Sequence, residues 1–203
     1  MTKKLLIATK NSGKVREYRE LLADLPFQVV SLAEAGIDAD VEETGETFAE
    51  NALLKARTYA RLSGLLTWAD DSGLAVDALE GWPGVHSARH AGPDATDADR
   101  ISILLQRLSD VSPELRTAAF HCVVAIATPD GRAWTTEGIC PGVITAEPMG
   151  AGGFGYDPVF FVPHLGKTFA QLSSVEKNAI SHRGIAAHKA AALLAQLVEA
   201  GEI

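Results

Sequence analysis

Residues 5–25 read LLIATKNSGKVREYRELLADL, and the hydrophobic pattern changes period partway along. Residues 5–9 are an apolar run closing on Thr9, as in a buried strand, whereas Val15, Tyr18, Leu21, Leu22 and Leu25 recur at the spacing of one helix face. A strand, a short loop and a helix in that order predict an α/β fold. The loop between them, Thr9-Lys10-Asn11-Ser12-Gly13-Lys14, has the chemistry of a phosphate cradle. Exposed amide hydrogens can face phosphate oxygens, Gly13 can permit an unusual backbone angle, and Lys14 adds positive charge where the helix begins. The spacing is not that of a Walker A loop.

Working outward, residues 27–32 predict a second strand, and residues 33–46 are turn-rich and acidic, with Glu42, Glu43 and Glu46. Thr47 and Glu50 then form the T-x-x-E pattern of a capping box at the start of a strong helix. Asn51 and Lys55, four residues apart, share one face of that helix. Residues 65–69 predict a strand with Asp70 and Asp71 at its end and Gly73 turning the chain before residues 74–76. Strand ends of open α/β sheets commonly border ligand crevices. Residues 96–108 have helix character, residues 116–128 and 132–139 read as a hairpin around Pro129-Asp130-Gly131, residues 159–162 as a short strand, and residues 185–197 as a final helix. Together these predict one domain over residues 1–203, an elongated mixed sheet flanked by helices in two lobes with the active-site cleft between them.

At 203 residues and 47% hydrophobic composition the chain can build a sizeable core without staples. Cys122 and Cys140 lack the spacing of a zinc site and read as reduced thiols. The first apolar segment is too short for a signal peptide and no run is long enough to span a membrane, so cytoplasmic residence is expected. A net charge of -8 argues against binding extended nucleic acid, which depends on many lysines and arginines, yet a local basic pocket can still hold one nucleotide.

Glu43, Asp70 and Asp71 offer oxygen ligands suited to a divalent cation, magnesium by preference, and either aspartate could orient a water toward phosphorus. The same aspartates could instead cap backbone amides. Lys14 and Lys55 suit the neutralisation of phosphate charge. Residues 150–157, GAGGFGYD, place four glycines beside Phe154, Tyr156 and Asp157. Phe154 could stack on a base and Asp157 accept a base hydrogen, or the glycines could shape a turn with both aromatics in the core. Lys177, His182 and Arg183 add donors, Arg183 toward a purine 6-oxo group or a phosphate.

The ordered set TKNSGK at residues 9–14, EETGETFAENALLKA at 42–56, ADDSGLAVDAL at 69–79, GGFGYDPVF at 152–160 and SHRG at 181–184 resembles the inosine triphosphate pyrophosphatase family over nearly the whole chain. The resemblance implies magnesium-dependent hydrolysis of non-standard purine nucleoside triphosphates (ITP, dITP, XTP) at the α–β bond, to a monophosphate and pyrophosphate, and a homodimer. It implies Asp71 as general base and magnesium ligand, with Glu43 and Asp70 helping to hold the cation. Thr9, Lys10, Asn11, Ser12, Gly13 and Lys14 would bind phosphates with Ser72, Asn51 and Lys55; Phe154, Gly155, Tyr156, Asp157, Lys177, His182 and Arg183 would bind the base. Lys10 stands where some relatives have glycine, and Trp68 is bulky for its position. Pyrophosphatases for other modified nucleotides, and a catalytically silent nucleotide sensor, are the alternative readings.

Overall fold

In the computed structural model, which describes residues 3–203, the first apolar run is the strand β1 (Lys3–Ile7). It pairs in parallel with β2 (Phe27–Ser31) on one side and β3 (Leu66–Val76) on the other. Parallel neighbours require crossovers, supplied here by α1 (Ser12–Leu21) and α2 (Phe48–Ser63). The chain continues through α3 (Asp97–Arg107), β4 (Thr117–Ala127), β5 (Ala133–Ile144), β6 (Phe160–Val162), β7 (Lys167–Thr168), α4 (Ser174–Ile180) and α5 (His182–Glu199). The sheet order is β2-β1-β3-β4-β5-β6-β7, and β6 pairs antiparallel with both β5 and β7, so the sheet is mixed.

The chain divides into two compact units. The first comprises Met1–Asp71, Cys122–Gly138 and Arg183–Ile203. Its strands alternate between two cores: Leu5, Ile7, Trp68, Cys122, Val124 and Ile126 pack with Tyr18 and Leu22 of α1 and Ala186, Ala190 and Leu194 of α5. Leu6, Ala8, Ala69, Val123, Ala125 and Ala127 pack with Ala52, Ala56, Tyr59 and Ala60 of α2. Successive residues of a strand point to opposite faces, so a strand covered on both must be apolar throughout. That is why residues 5–8 read as an unbroken run. The second unit, Ser72–His121 and Ile139–His182, gathers Leu74, Ile101, Leu104, Phe120, Tyr156, Phe160 and Phe169 into its own core.

The capping boxes expected at Thr47/Glu50 and Thr96/Asp99 are both present. Other expectations need correction. The strand expected to stop at residue 69 runs on to Val76 through Asp70, Asp71 and Gly73, so Gly73 turns nothing. The strand that ends is β1: its last rung is the Ala8 amide donating 2.8 Å to the Trp68 carbonyl, and the aspartates lie just past it on β3. Gly13 sits inside α1 and is not among the glycines with positive φ. The hairpin's second strand extends to Ile144, and β7 and α4 form where the residue pattern predicts no element.

Candidate functional site

Asp70 and Asp71 are neighbours in β3 and therefore face opposite sides of the sheet. Asp71 continues the Ala69 side and turns to α2, while Asp70 continues the Trp68 side and turns to α1 and α5. Each is buried, and each meets its own set of partners.

On the α2 face, the fully buried Asn51 donates from Nδ2 to Asp71 Oδ2 at 3.2 Å, and Lys55 Nζ donates to Asp71 Oδ1 at 3.2 Å. The i, i+4 pair of the sequence thus closes on one carboxylate. Lys55 also donates to Glu43 Oε1 at 2.5 Å and so bridges two carboxylates. The acidic loop carrying Glu43 is pinned by Gly45, whose amide donates to Asn51 Oδ1 at 2.8 Å and whose carbonyl accepts from Asn51 Nδ2 at 3.3 Å. A Cβ at Gly45 would lie 2.7 Å from Glu50 Cβ and 2.8 Å from Asn51 Oδ1, so only glycine allows that approach. Burial raises the Asp71 pKa, reinforced by Glu43 and Asp70 and opposed by Lys55 and Lys14, and the balance lies above the ordinary carboxylate value. Burial alone would lower the Lys55 pKa, but Asp71, Asp70 and Glu43 together raise it.

On the other face Asp70 Oδ2 accepts from Lys14 Nζ at 2.7 Å and lies 3.8 Å from Arg183 Nε. Burial favours the neutral acid, yet Lys14, Arg183 and Lys55 outweigh it and hold the pKa down at about 2. Asp70 is therefore a fixed negative charge, and Asp71 is the carboxylate whose proton affinity is raised. Two carboxylates with pKa values driven apart by their surroundings are suited to separate chemical roles.

This alternation places Asp70 and Asp71, both expected around one cation, on opposite faces of β3. Among the described residues no group of three His, Cys, Asp or Glu is placed to hold one ion. Glu43 and Asp71 share a face and are already bridged by an ammonium cation, so their donor set fits a hard divalent cation. Asp70 stands on the opposite face with Lys14 and Arg183.

The loop after β1 is built from side chains. Thr9 Oγ1 accepts from the Asn11 amide at 3.2 Å, and Asn11 caps α1 by accepting from the Lys14 amide at 3.1 Å. Ser12 and Gly13 open the helix itself. Lys14 turns toward Asp70, whereas Lys10 donates to the Asp38 carbonyl at 3.2 Å and lies 3.5 Å from Asp40. The outer side of the loop borders a groove of about 750 Å³ lined by Thr9, Lys10, Ser12 and Arg16 among others. Trp68, with no exposed surface, packs edge-on to Tyr18 at 5.5 Å and is core.

Within the second unit the glycine-rich segment wraps Asp157. Its Oδ2 accepts from the Phe154 amide at 2.9 Å and from Lys177 Nζ at 2.6 Å. A Cβ at Gly153, where φ is +73°, would fall 2.0 Å from that same oxygen. The Lys177 ammonium lies 4.8 Å from the Phe154 ring centroid, so one cation joins the acid and the aromatic. The Gly155 amide donates to Asp97 Oδ2 at 2.7 Å. Tyr156 is buried, its hydroxyl donating to the Ser87 carbonyl at 2.9 Å and lying 2.6 Å from His90 Nε2. His182 stacks on Phe120 at 4.5 Å. Ser72 lies in β3 directly after the aspartates. Arg183 belongs to the first unit, with its Nη1 donating to Glu17 Oε2 at 2.6 Å.

Two neighbours of the site, Glu17 and His90, lie outside the residues that the sequence singles out. Glu17 had a signal: it lies three residues after Lys14 and four before Leu21, an acid on a helix face otherwise read as apolar. His90 had none, because its contact with Tyr156 spans 66 residues.

Residues 5–193 match the Ham1 family. The dITP/XTP pyrophosphatase of Shigella flexneri is 54% identical over 183 residues, 89% of this chain and 92% of that protein. The dITP/XTP pyrophosphatase of Desulforamulus reducens is 53% identical over 194 residues, 96% of each. Among solved structures, a HAM1 protein from Coxiella burnetii superposes with a TM-score of 0.86 at 44% identity, covering 96% of this chain and 99% of that one. The dITP/XTP pyrophosphatase of Mycobacterium abscessus gives 0.74 at 44% identity, covering 94% and 98%.

Proposed function

We propose that this chain, which belongs to the Ham1 family, hydrolyses dITP, XTP and ITP at the α–β phosphate bond, releasing a nucleoside monophosphate and pyrophosphate. The observation that carries the reading is Asp71: a buried carboxylate of raised pKa, oriented by Asn51 and Lys55 and sharing their face with Glu43. The relatives' names supply the substrate class. A carboxylate of raised proton affinity is suited to take the proton of an attacking water, and Asn51 and Lys55 orient it, one on each oxygen. Lys55 and Lys14 supply positive charge for the triphosphate. Glu43 and Asp71 would hold a magnesium ion, whose chemistry is to neutralise phosphate charge and polarise the phosphoryl oxygens.

Thr9, Lys10, Asn11, Ser12, Gly13 and Ser72 are assigned to the phosphates, and Phe154, Gly155, Tyr156, Asp157, Lys177, His182 and Arg183 to the base. A donor facing purine position 6 donates to an oxo group and opposes the amino group of adenine, which rejects ATP through an unfavourable contact. The whole chain is read as one pyrophosphatase domain acting as a homodimer in the cytoplasm. No helix among the described residues is long and apolar enough to cross a membrane.

The test is product analysis with dITP and magnesium, ATP competing. dIMP plus pyrophosphate, with ATP spared, is expected. A diphosphate plus orthophosphate would move the attack to the γ phosphate, and tight binding without turnover would make the protein a nucleotide sensor.

A further inference from the structure

Helix α3 is capped without help from Asp97. Thr96 Oγ1 accepts from the Asp99 amide and Asp99 Oδ2 accepts from the Thr96 amide, which completes the capping box. The Asp97 carboxylate, between those two residues, is directed out of the helix. Its Oδ1 accepts from Arg100 Nη1 at 3.0 Å, and its Oδ2 accepts from the Gly155 amide at 2.7 Å, 58 residues along the chain. Arg100 donates in turn from Nε to the Ala88 carbonyl at 3.0 Å, next to the Ser87 carbonyl that takes the Tyr156 hydroxyl. All of these residues belong to the second unit. The turn at residues 153–157 is therefore held from two sides: the Phe154 amide points in to Asp157 Oδ2 at 2.9 Å, and the next amide, that of Gly155, points out to Asp97. Gly155 has a φ of +62°, and a Cβ there would meet nothing within 4 Å, so the backbone angle rather than packing calls for glycine. Glycine has the most backbone freedom to lose, and with no side chain to pack, this peptide depends on its hydrogen bond to stay in place.

We propose that Asp97 is a positioning residue for the purine: by holding the peptide between Phe154 and Gly155 from outside the pocket, it fixes the Phe154 ring on which the base stacks. This rests on the assignment of Phe154 and its neighbours to the base. Asp97 acts through Gly155 and touches no substrate. A stability role is a poor account of the contact, because the Asp97 side chain is 48% exposed, its ion pair with Arg100 lies at the surface, and such pairs contribute little. What the carboxylate does supply is a charged acceptor aimed at one backbone amide of the turn. Without it, the Gly155 amide faces solvent and the turn samples other angles, so the bound nucleotide must order it. That cost falls on binding at the base end and leaves the phosphate end, in the first unit, as it was.

The experiment compares Asp97→Ala and Asp97→Asn with the unaltered protein by thermal unfolding, by hydrogen exchange at the Gly155 amide read by NMR, by kcat and KM on dITP, and by inhibition with pyrophosphate, which probes the phosphate end alone. In folded D97A the Gly155 amide exchanges faster and KM rises about 3- to 10-fold, as the loss of one hydrogen bond predicts. Its kcat stays near the unaltered value, the mark of a lost binding contribution, and pyrophosphate inhibits as before. D97N keeps an acceptor oxygen for the amide and restores most of the KM and of the protection from exchange. An unchanged KM in folded D97A, or KM and pyrophosphate inhibition weakened alike, overturns the proposal, as does a folded D97N no better than D97A. If D97A does not fold, the unaltered protein and D97N decide: a Gly155 amide that exchanges in either as fast as an open backbone amide overturns the proposal. Absence of dITP turnover in the unaltered protein would refute the proposed function instead, and the exchange at Gly155 is read without any turnover.

Discussion

The two faces of β3 treat neighbouring aspartates in opposite ways. Asp70 is locked between Lys14 and Arg183 with its pKa held at about 2, whereas Asp71 is held by Asn51 and Lys55 with its pKa raised. One peptide bond separates them, yet strand geometry gives each its own helix, its own cations and its own work. Asp70 maintains a charge that organises α1 and the start of α5. Asp71 is the carboxylate of raised proton affinity, to which the proposed function assigns proton transfer. A doubled acidic residue in a strand is therefore two sites rather than one stronger site.

The largest expected effect falls on the Asp70 face. Asp70→Asn leaves the part-buried Lys14 and the buried Arg183 without their shared countercharge, a loss on the order of 3–5 kcal/mol, measurable by urea unfolding. An unfolding free energy equal to that of the unaltered protein would show that those cations find other partners. Acid unfolding reads the same face. Asp70 is depressed from 3.8 to about 2, so its contribution, on the order of 2 kcal/mol, is present above about pH 4 and lost as pH falls toward 2. Asp71 has the opposite sign: its raised pKa favours the folded state only when it is protonated, and that contribution disappears as pH rises through the folded value. Removal of the Asp70 carboxylate should flatten the stability profile between about pH 4 and about pH 2.

Asn51→Ala is a smaller perturbation on the α2 face, costing about 1–3 kcal/mol because the Gly45 amide and carbonyl and Asp71 Oδ2 all lose a partner. Its activity should fall further than its stability, and a proportional fall in both would make Asn51 purely structural. Lys55→Met removes a charge that lowers the Asp71 pKa. The acid limb of kcat/KM should move to higher pH in that variant, and an unmoved limb would assign it to another group. The smallest expected effect is at Cys122, whose thiol is pushed up to about 12 first by burial and then by Asp70. Iodoacetamide at neutral pH should leave it unmodified in the folded protein, and rapid labelling would show that the Asp70 face opens.

Much of this was legible in the residues. The change of period between residues 5–9 and 15–25 announced β1 and α1, and T-x-x-E at Thr47 announced α2 with Asn51 and Lys55 on one face. The strand through the aspartates was not legible to its end, because two acids and a glycine in sequence read as a turn. What makes them a strand is tertiary: cations from α1, α2 and α5 offset the cost of burying charge on both faces. The two aspartates face apart for a related reason. Proximity in sequence is not proximity in space here, because the two-residue period of a strand separates Asp70 from Asp71. Arg183 also donates to Glu17 through a contact spanning 166 residues, which no local pattern encodes.

The most direct measurement is turnover of Asp71→Asn with saturating dITP and magnesium, alongside its thermal unfolding. Loss of a general base predicts a fall of about 10²–10⁴-fold in kcat in a protein that still folds and binds nucleotide. An Asp71→Asn protein that turns over at the unaltered rate would contradict the division of labour between the two aspartates.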